Sequence, residues 1–264
     1  MFRLTWVLAV LAAPLSAHEF WIEPSGPRFD EGAAVQARLL VGTELKGATY
    51  SYNPQNFTRF EIVTAAGVQP VEGRVGDKPA LNMVPEGNGL ATIVHVTRNY
   101  NLTYREWEKF TGFCTEKDFT WAIDRHLERG LGQDSVRERY SRHAKSLVAL
   151  GEGGGADREL GLITEIVAEA NPFTDDLSDG MPVRVLYQGA PRADVQVELF
   201  ERDPEGNVTI HRYRTDAEGR ATIGVKPGHF YLVDAVVMRE LEIEEEGDPA
   251  WESLWASLTF EVPK

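Results

Sequence analysis

The stretch that decides the fold is PVRVLYQGAPRADVQVELF, residues 182–200, in which two apolar runs flank a short polar turn. Four further runs follow at similar spacing: VTIHRY (208–213), ATIGV (221–225), YLVDAVV (231–237) and LWASLTFEV (254–262). Short strands at regular spacing, separated by turn residues, are typical of a β-sandwich. The sequence therefore predicts a small β-sandwich domain over residues 181–264.

The first half of the chain also has the alternating pattern of β-strands. Alternation is clearest at VQARL (35–39), RFEIV (59–63) and ATIVHV (91–96). Between residues 103 and 143 the pattern changes, because Tyr104, Trp107 and Phe110 recur at helical spacing after a Thr103–Glu106 capping box. We therefore expect a mainly β protein with two β-sandwich-like domains. The first domain, residues 18–171, carries a helical insertion at about 103–143, and the boundary lies at the acidic, turn-rich segment before residue 181.

The first seventeen residues predict export. Arg3 precedes an uncharged apolar run, Leu4 to Leu15, and the small residue Ala17 follows two positions later. This is the pattern of a cleavable signal peptide, and the run is shorter than the roughly 20 residues that span a bilayer. We expect cleavage before His18, a periplasmic or secreted location, and no membrane span in the mature chain.

The net charge bears on what the protein can bind, and the cysteine content bears on how it is stabilised. The chain carries a formal net charge of −14, which disfavours binding to nucleic acid or to anionic membranes. With Cys114 as the single cysteine, no internal disulfide can form, and we interpret this residue as a buried apolar thiol.

Five stretches together resemble one bacterial family. They are HEFWI (18–22), ERYSRHAKSL (138–147), ANPF (170–173), RTDAEGR (214–220) and WESLWASLTF (251–260). In this combination and order the chain resembles the family called domain of unknown function 4198. The resemblance implies a periplasmic component associated with nickel or cobalt uptake, and it supplies no catalytic residues. The C-terminal part is also similar to transthyretin-like and carboxypeptidase-regulatory-like sandwiches.

His18 is the most informative candidate ligand. Cleavage after Ala17 would give it a free α-amino group beside its imidazole. Together they can chelate one divalent transition metal. Nitrogen ligands in a tetragonal arrangement suit Cu(II) or Ni(II), while the family resemblance adds cobalt.

One further imidazole would complete such a site. The candidates, in order of preference, are His95, His126 and His143, followed by His211 and His229. We therefore predict a metal site formed by His18 with His95 or His126. No catalytic residue and no organic cofactor is assigned.

Three hypotheses about function follow. The first is a periplasmic metal-binding or metal-uptake accessory protein whose partners are a metal ion and a membrane transporter or another periplasmic protein. The second is a non-enzymatic module that binds carbohydrate or protein through its sandwich loops. The third is a copper monooxygenase that uses His18. Since no reaction motif is present in the sequence, non-enzymatic binding is preferred.

Overall fold

The computed structural model describes residues 18–264, and the predicted signal peptide lies outside this range. The first strands are β1 (Glu19–Pro24), β2 (Arg28–Phe29), β3 (Val35–Thr43), β4 (Lys46–Tyr50), β5 (Phe57–Thr64), β6 (Gly67–Pro70), β7 (Leu81–Met83), β8 (Gly89–Thr97) and β9 (Tyr100–Tyr104). Two helices follow, α1 (Trp107–Glu116) and α2 (Trp121–Glu128). The remaining strands are β10 (Val136–Leu150), β11 (Thr164–Ala168), β12 (Met181–Tyr187), β13 (Ala190–Pro191), β14 (Gln196–Arg202), β15 (Val208–Arg214), β16 (Arg220–Ile223), β17 (Phe230–Glu240) and β18 (Trp251–Glu261).

A ten-stranded sheet forms the centre of the molecule. Its order is β15-β14-β17-β18-β10-β8-β5-β6, and β2 and β9 also pair with β10. We call this the central sheet. Strands β1, β3, β4 and β7 form a second sheet, the front sheet, while β11, β12, β13 and β16 form a third, the back sheet.

The front and back sheets cover opposite faces of the central sheet. Side chains alternate between the two faces of a strand. Along β10, Ala144, Val148 and Leu150 pack with the front-sheet core, whereas Leu147 and Ala149 pack with the back-sheet core. The fold therefore has three layers, and its two sandwiches share the central sheet. This confirms the prediction of a mainly β protein built from sandwich-like units.

The two sequence segments on either side of residues 172–180 share this central sheet. Strand β10, from the first segment, pairs in parallel with β18, from the second, between Glu138↔Trp251 and Ser146↔Thr259. Across the predicted boundary itself, β11 pairs with β12. Hydrogen bonding and core packing are thus continuous between the segments that the sequence pattern divided.

The helical insertion is present but shorter than predicted. Both helices lie between β9 and β10, and they bury Phe110, Phe113 and Ala122 against Trp251 and other residues of the central sheet. The prediction of a capping box was wrong, because Thr103 lies in β9 and the N-cap residue of α1, Glu106, makes no side-chain capping hydrogen bond. The last residues assigned to the insertion, 136–143, form the start of β10 instead.

The thiol of Cys114 lies in this helical core. It is fully buried, as predicted, and burial raises its pKa above the ordinary range. Neither of the described helices is long and apolar enough to cross a bilayer.

Candidate functional site

A cavity of about 230 Å³ lies between the front sheet and the central sheet, beside the start of β1. Aromatic and polar side chains line it together. The aromatic ones are Phe20, Tyr50, Phe57, Tyr100 and Tyr140, and the polar ones include Asn53, Asn56, His95 and Arg142. We call this the aromatic cavity. The mixture of flat apolar surface and a few fixed polar groups is typical of a small-ligand site.

His95, the preferred partner of His18, lines this cavity from β8. The rings of Phe20, Phe57 and Phe60 surround its imidazole, with centroids 5.1, 5.3 and 5.0 Å away. Burial lowers the pKa of His95 to about 3, so its ring is neutral at physiological pH. Its Nδ1 atom is buried and has no hydrogen-bond partner among the residues that the structure describes. A neutral imidazole with an uncommitted nitrogen is the form in which histidine binds metals.

His18 lies next to the same cavity. Its carbonyl oxygen accepts a hydrogen bond of 3.1 Å from Arg142 Nη2, and the Arg142 guanidinium sits 4.8 Å from the centroid of the Tyr140 ring. His18 lies directly before β1 and two residues before Phe20, whose ring packs on His95. The exposed His18 and the buried His95 are therefore brought to one region of the molecule.

The start of β1 is held by a buried charge cluster. Lys117 Nζ, just after α1, contacts carboxylate oxygens of Glu19 at 3.2 Å, Glu198 at 2.5 Å and Asp234 at 3.2 Å. Burial alone would lower the pKa of Lys117, but the three carboxylates outweigh it and raise the pKa. Burial raises the pKa of Asp234 to about 7 despite the opposing effect of Lys117. Because Glu19 follows His18 directly, this cluster fixes the backbone on which His18 is carried.

His126 occupies a different environment from His95. Its Nε2 is 3.0 Å from the carbonyl oxygen of Gly132, and its Nδ1 accepts a 3.0 Å hydrogen bond from Trp251 Nε1. Its ring packs on Trp107, Phe110 and Trp251 in the helical core. Both nitrogens are thus committed to structural hydrogen bonds, and its contacts share no ring with those of His95.

The other three histidines have surroundings that differ from those of His95. His211 and His229 both contact Glu201, at 3.1 and 2.8 Å. His143 lies on β10, one residue from Arg142 and therefore on the opposite face of the strand. Within residues 18–264, no group of three or more His, Cys, Asp or Glu side chains is arranged to hold a metal ion.

Sequence reasoning missed the walls of the aromatic cavity. Tyr140 and Arg142 were assigned to the helical insertion, whereas they are alternate residues of β10 that face the cavity. Residues 138–147 carry few apolar side chains, so this part of β10 offered little apolar alternation by which a strand could be recognised.

Comparison with known proteins identifies the family. The sequence model of the family DUF4198, described as a domain of unknown function, matches residues 15–239 of this chain. The chain belongs to the DUF4198 family. No curated protein matches this DUF4198 chain.

Two of the matching solved structures show a remote likeness to this DUF4198 protein. One is a tetra-tandem repeat in the extending region of a large adhesion protein, with 10% identity and a TM-score of 0.23. The match covers 93% of this chain and 50% of the other, so the chain spans about half the length of that structure. Another is the D0-D1 domain of intimin, with 12% identity, a TM-score of 0.20, and coverage of 91% and 97%. TM-scores this low do not establish a shared fold.

Proposed function

We propose that this DUF4198 protein is exported and binds one divalent transition metal, Cu(II) or Ni(II), at the edge of the aromatic cavity. The donors are the imidazoles of His18 and His95 and the α-amino group that cleavage after Ala17 would free. The observation that carries the proposal is the position of His95, a buried neutral histidine with an unpartnered Nδ1 that packs on the ring of Phe20, two residues after His18.

The chemistry of the donor set supports this metal class. Three nitrogen donors suit Cu(II) and Ni(II), and Cu(II) has the higher affinity of the two for a given nitrogen site. An amine and an imidazole on one residue bind as a preformed chelate, so the fold has to position one more side chain. The rings packed around His95 position that side chain. Arg142 binds the His18 carbonyl oxygen and Lys117 binds the Glu19 carboxylate, so both hold the terminal residue in place.

Export fits such a site, because only cleavage of the predicted signal peptide would free the α-amino group of His18. The physiological partner would then be a periplasmic protein or membrane transporter that accepts or delivers the ion. Nickel or cobalt uptake, which the family resemblance implies, is one setting for that exchange.

Calorimetric titration of the chain beginning at His18 with Cu(II) and Ni(II) tests the proposal. We expect a dissociation constant below roughly 1 μM for Cu(II), equivalent to about 8 kcal/mol. His95→Ala should weaken binding at least tenfold, equal to about 1.4 kcal/mol. Addition of one alanine before His18 should weaken it as much as His18→Ala does, because the free amine then lies away from the imidazole.

His211→Ala is the matched control, since it removes a partly exposed histidine that pairs with Glu201. It should leave binding unchanged. Electron paramagnetic resonance of the Cu(II) form should show nitrogen coupling that decreases in His95→Ala. If the alanine-extended chain binds Cu(II) as tightly as the chain that begins at His18, the terminal chelate is disproved.

The aromatic lining favours a second candidate, a carbohydrate-binding module. Tyr50, Tyr100 and Tyr140 line the cavity together with the amides of Asn53 and Asn56, residue types that suit stacking and hydrogen bonding with sugars. Titration with oligosaccharides in the presence of a chelator separates the two functions. Sugar binding that survives His95→Ala but is lost in Tyr140→Ala would favour the second.

A further inference from the structure

A second cavity lies on the opposite face of β10 from the aromatic cavity. Its volume is about 420 Å³, and its walls include Arg98, Arg139, Ser141, His143, Arg239 and Glu252. We call it the arginine cavity. Odd-numbered residues of β10 share one face of the strand. Leu147 packs in the back-sheet core on this face, whereas His143, Ser141 and Arg139 line the cavity. Polar side chains therefore replace the apolar core on this face of the central sheet.

The charge of the arginine cavity is opposite to that of the whole chain. Three arginines and one glutamate give its walls an excess of positive charge, although the chain carries −14 overall. Glu252 pairs with two of the arginines, since Arg139 Nε lies 2.6 Å from its Oε1 and Arg239 binds its Oε2. Arg98 is exposed, and its side chain forms no ion pair within residues 18–264. One guanidinium is thus uncompensated beside two that Glu252 holds in place.

The floor of the cavity holds two buried polar side chains. Ser141 Oγ and His143 Nε2 are 3.1 Å apart, and the two residues are 5% and 6% exposed. His143 Nδ1 is buried, and no group in the described part of the chain forms a hydrogen bond with it. Burial lowers the pKa of His143 to about 4, so the ring is neutral at physiological pH. A buried polar atom without a partner calls for an explanation, and a bound ion is one of the explanations available.

We propose that the arginine cavity binds a small oxyanion, the phosphate or carboxylate group of a metabolite. Guanidinium groups recognise both by paired, charge-assisted hydrogen bonds. Arg98 provides the free charge, Arg139 and Arg239 provide positioned donors, and the Ser141 hydroxyl lies at the base. Because His143 Nδ1 has no carboxylate partner to orient the ring, the serine–histidine pair is assigned to binding and not to nucleophilic catalysis. The site does not depend on the metal site, since it lies on the other face of β10.

Calorimetric titration of the chain beginning at His18 with inorganic phosphate, and separately with citrate, tests this proposal at low ionic strength. Binding of phosphate alone or of citrate alone identifies which oxyanion the cavity prefers, and either result supports the proposal. Arg98→Ala should weaken binding at least tenfold. Because Arg98 is exposed and forms no ion pair within residues 18–264, its replacement should leave the fold intact. Arg74→Ala, which removes an exposed arginine that lines neither cavity, is the control and should leave binding unchanged.

Nuclear magnetic resonance of the histidine side chains gives an independent measurement. Saturating anion should shift the resonances of His143, with little effect on those of His211, and Ser141→Ala should reduce affinity several-fold. The proposal is overturned if neither anion binds at roughly 10 mM, a concentration at which even weak sites fill. It is also overturned if Arg98→Ala and Arg74→Ala weaken binding equally, since that result would indicate nonspecific attraction.

Discussion

Replacement of Glu138 by glutamine should remove a defined part of the pH dependence of stability. Glu138 is fully buried on β10, where it accepts hydrogen bonds from the hydroxyls of Tyr104, at 2.7 Å, and Ser253. Burial raises its pKa from 4.5 to about 7, although both hydroxyls oppose the shift. The folded protein therefore keeps a proton that the unfolded chain releases between these two values.

The sign of the effect follows from this difference. Extra stability from the protonated carboxyl is fully present below pH 4.5 and is lost as the pH rises through 7. The loss is about 1.4 kcal/mol per pH unit, or about 2 to 3 kcal/mol between pH 5 and pH 8. Glutamine is neutral throughout. The free energy of unfolding of Glu138→Gln should therefore rise by that amount relative to that of the wild-type chain between pH 5 and pH 8.

Urea unfolding followed by tryptophan fluorescence measures this difference, and Trp255 reports locally because its Nε1 donates to Ser253 Oγ. Comparison at two pH values cancels the constant cost of introducing an amide. Glu205→Gln makes the same chemical change at an exposed turn and should not alter the slope. If Glu138→Gln has the same pH dependence as the wild-type chain, the carboxyl is not held protonated and the reasoning is refuted.

Three further predictions use the same unfolding assay or a simple chemical probe. Lys117→Met should destabilise the protein by about 3 to 5 kcal/mol, because its three carboxylates lose their buried counter-charge, and Asp234→Asn should recover part of this loss. A thiol reagent should not label Cys114 in the native chain at pH 8 but should label it fully in urea, and rapid native labelling would contradict its burial. A fragment of residues 181–264 should lack a cooperative transition, since β18 would lose its parallel partner β10; a sharp transition would instead favour the separable domains expected from the sequence.

The β character was predictable because alternation of apolar residues is a local property of each strand. The central sheet was not, because it depends on pairing between segments far apart in the chain. Strand β10 contributes residues to both cores, and its partner β18 lies about a hundred residues later. A turn-rich segment such as 172–180 is the usual sign of a domain boundary, but it also occurs wherever a chain passes from one strand of a sheet to the next.

The histidines illustrate the same limit at the candidate site. His95 and His126 were ranked by local context alone, and each proved to be buried. Their chemistry differs because of residues distant in sequence: Trp251 and Gly132 occupy both nitrogens of His126, while apolar rings surround His95 and leave its Nδ1 unpartnered. No local pattern contains that information. The position of His18 beside the cavity depends likewise on Arg142, which lies on the distant strand β10.

Strand β10 explains how one protein can carry two different candidate sites without interference between them. Its alternation sends Tyr140 and Arg142 to the aromatic cavity and Ser141 and His143 to the arginine cavity. A shift of one residue in its register would exchange the two sets and disrupt both cavities together. The nine paired residues shared with β18, supported by pairing with β8 and β9, fix that register from both sides. The same pairing that joins the two halves of the chain into one sheet therefore also determines which side chains reach each cavity.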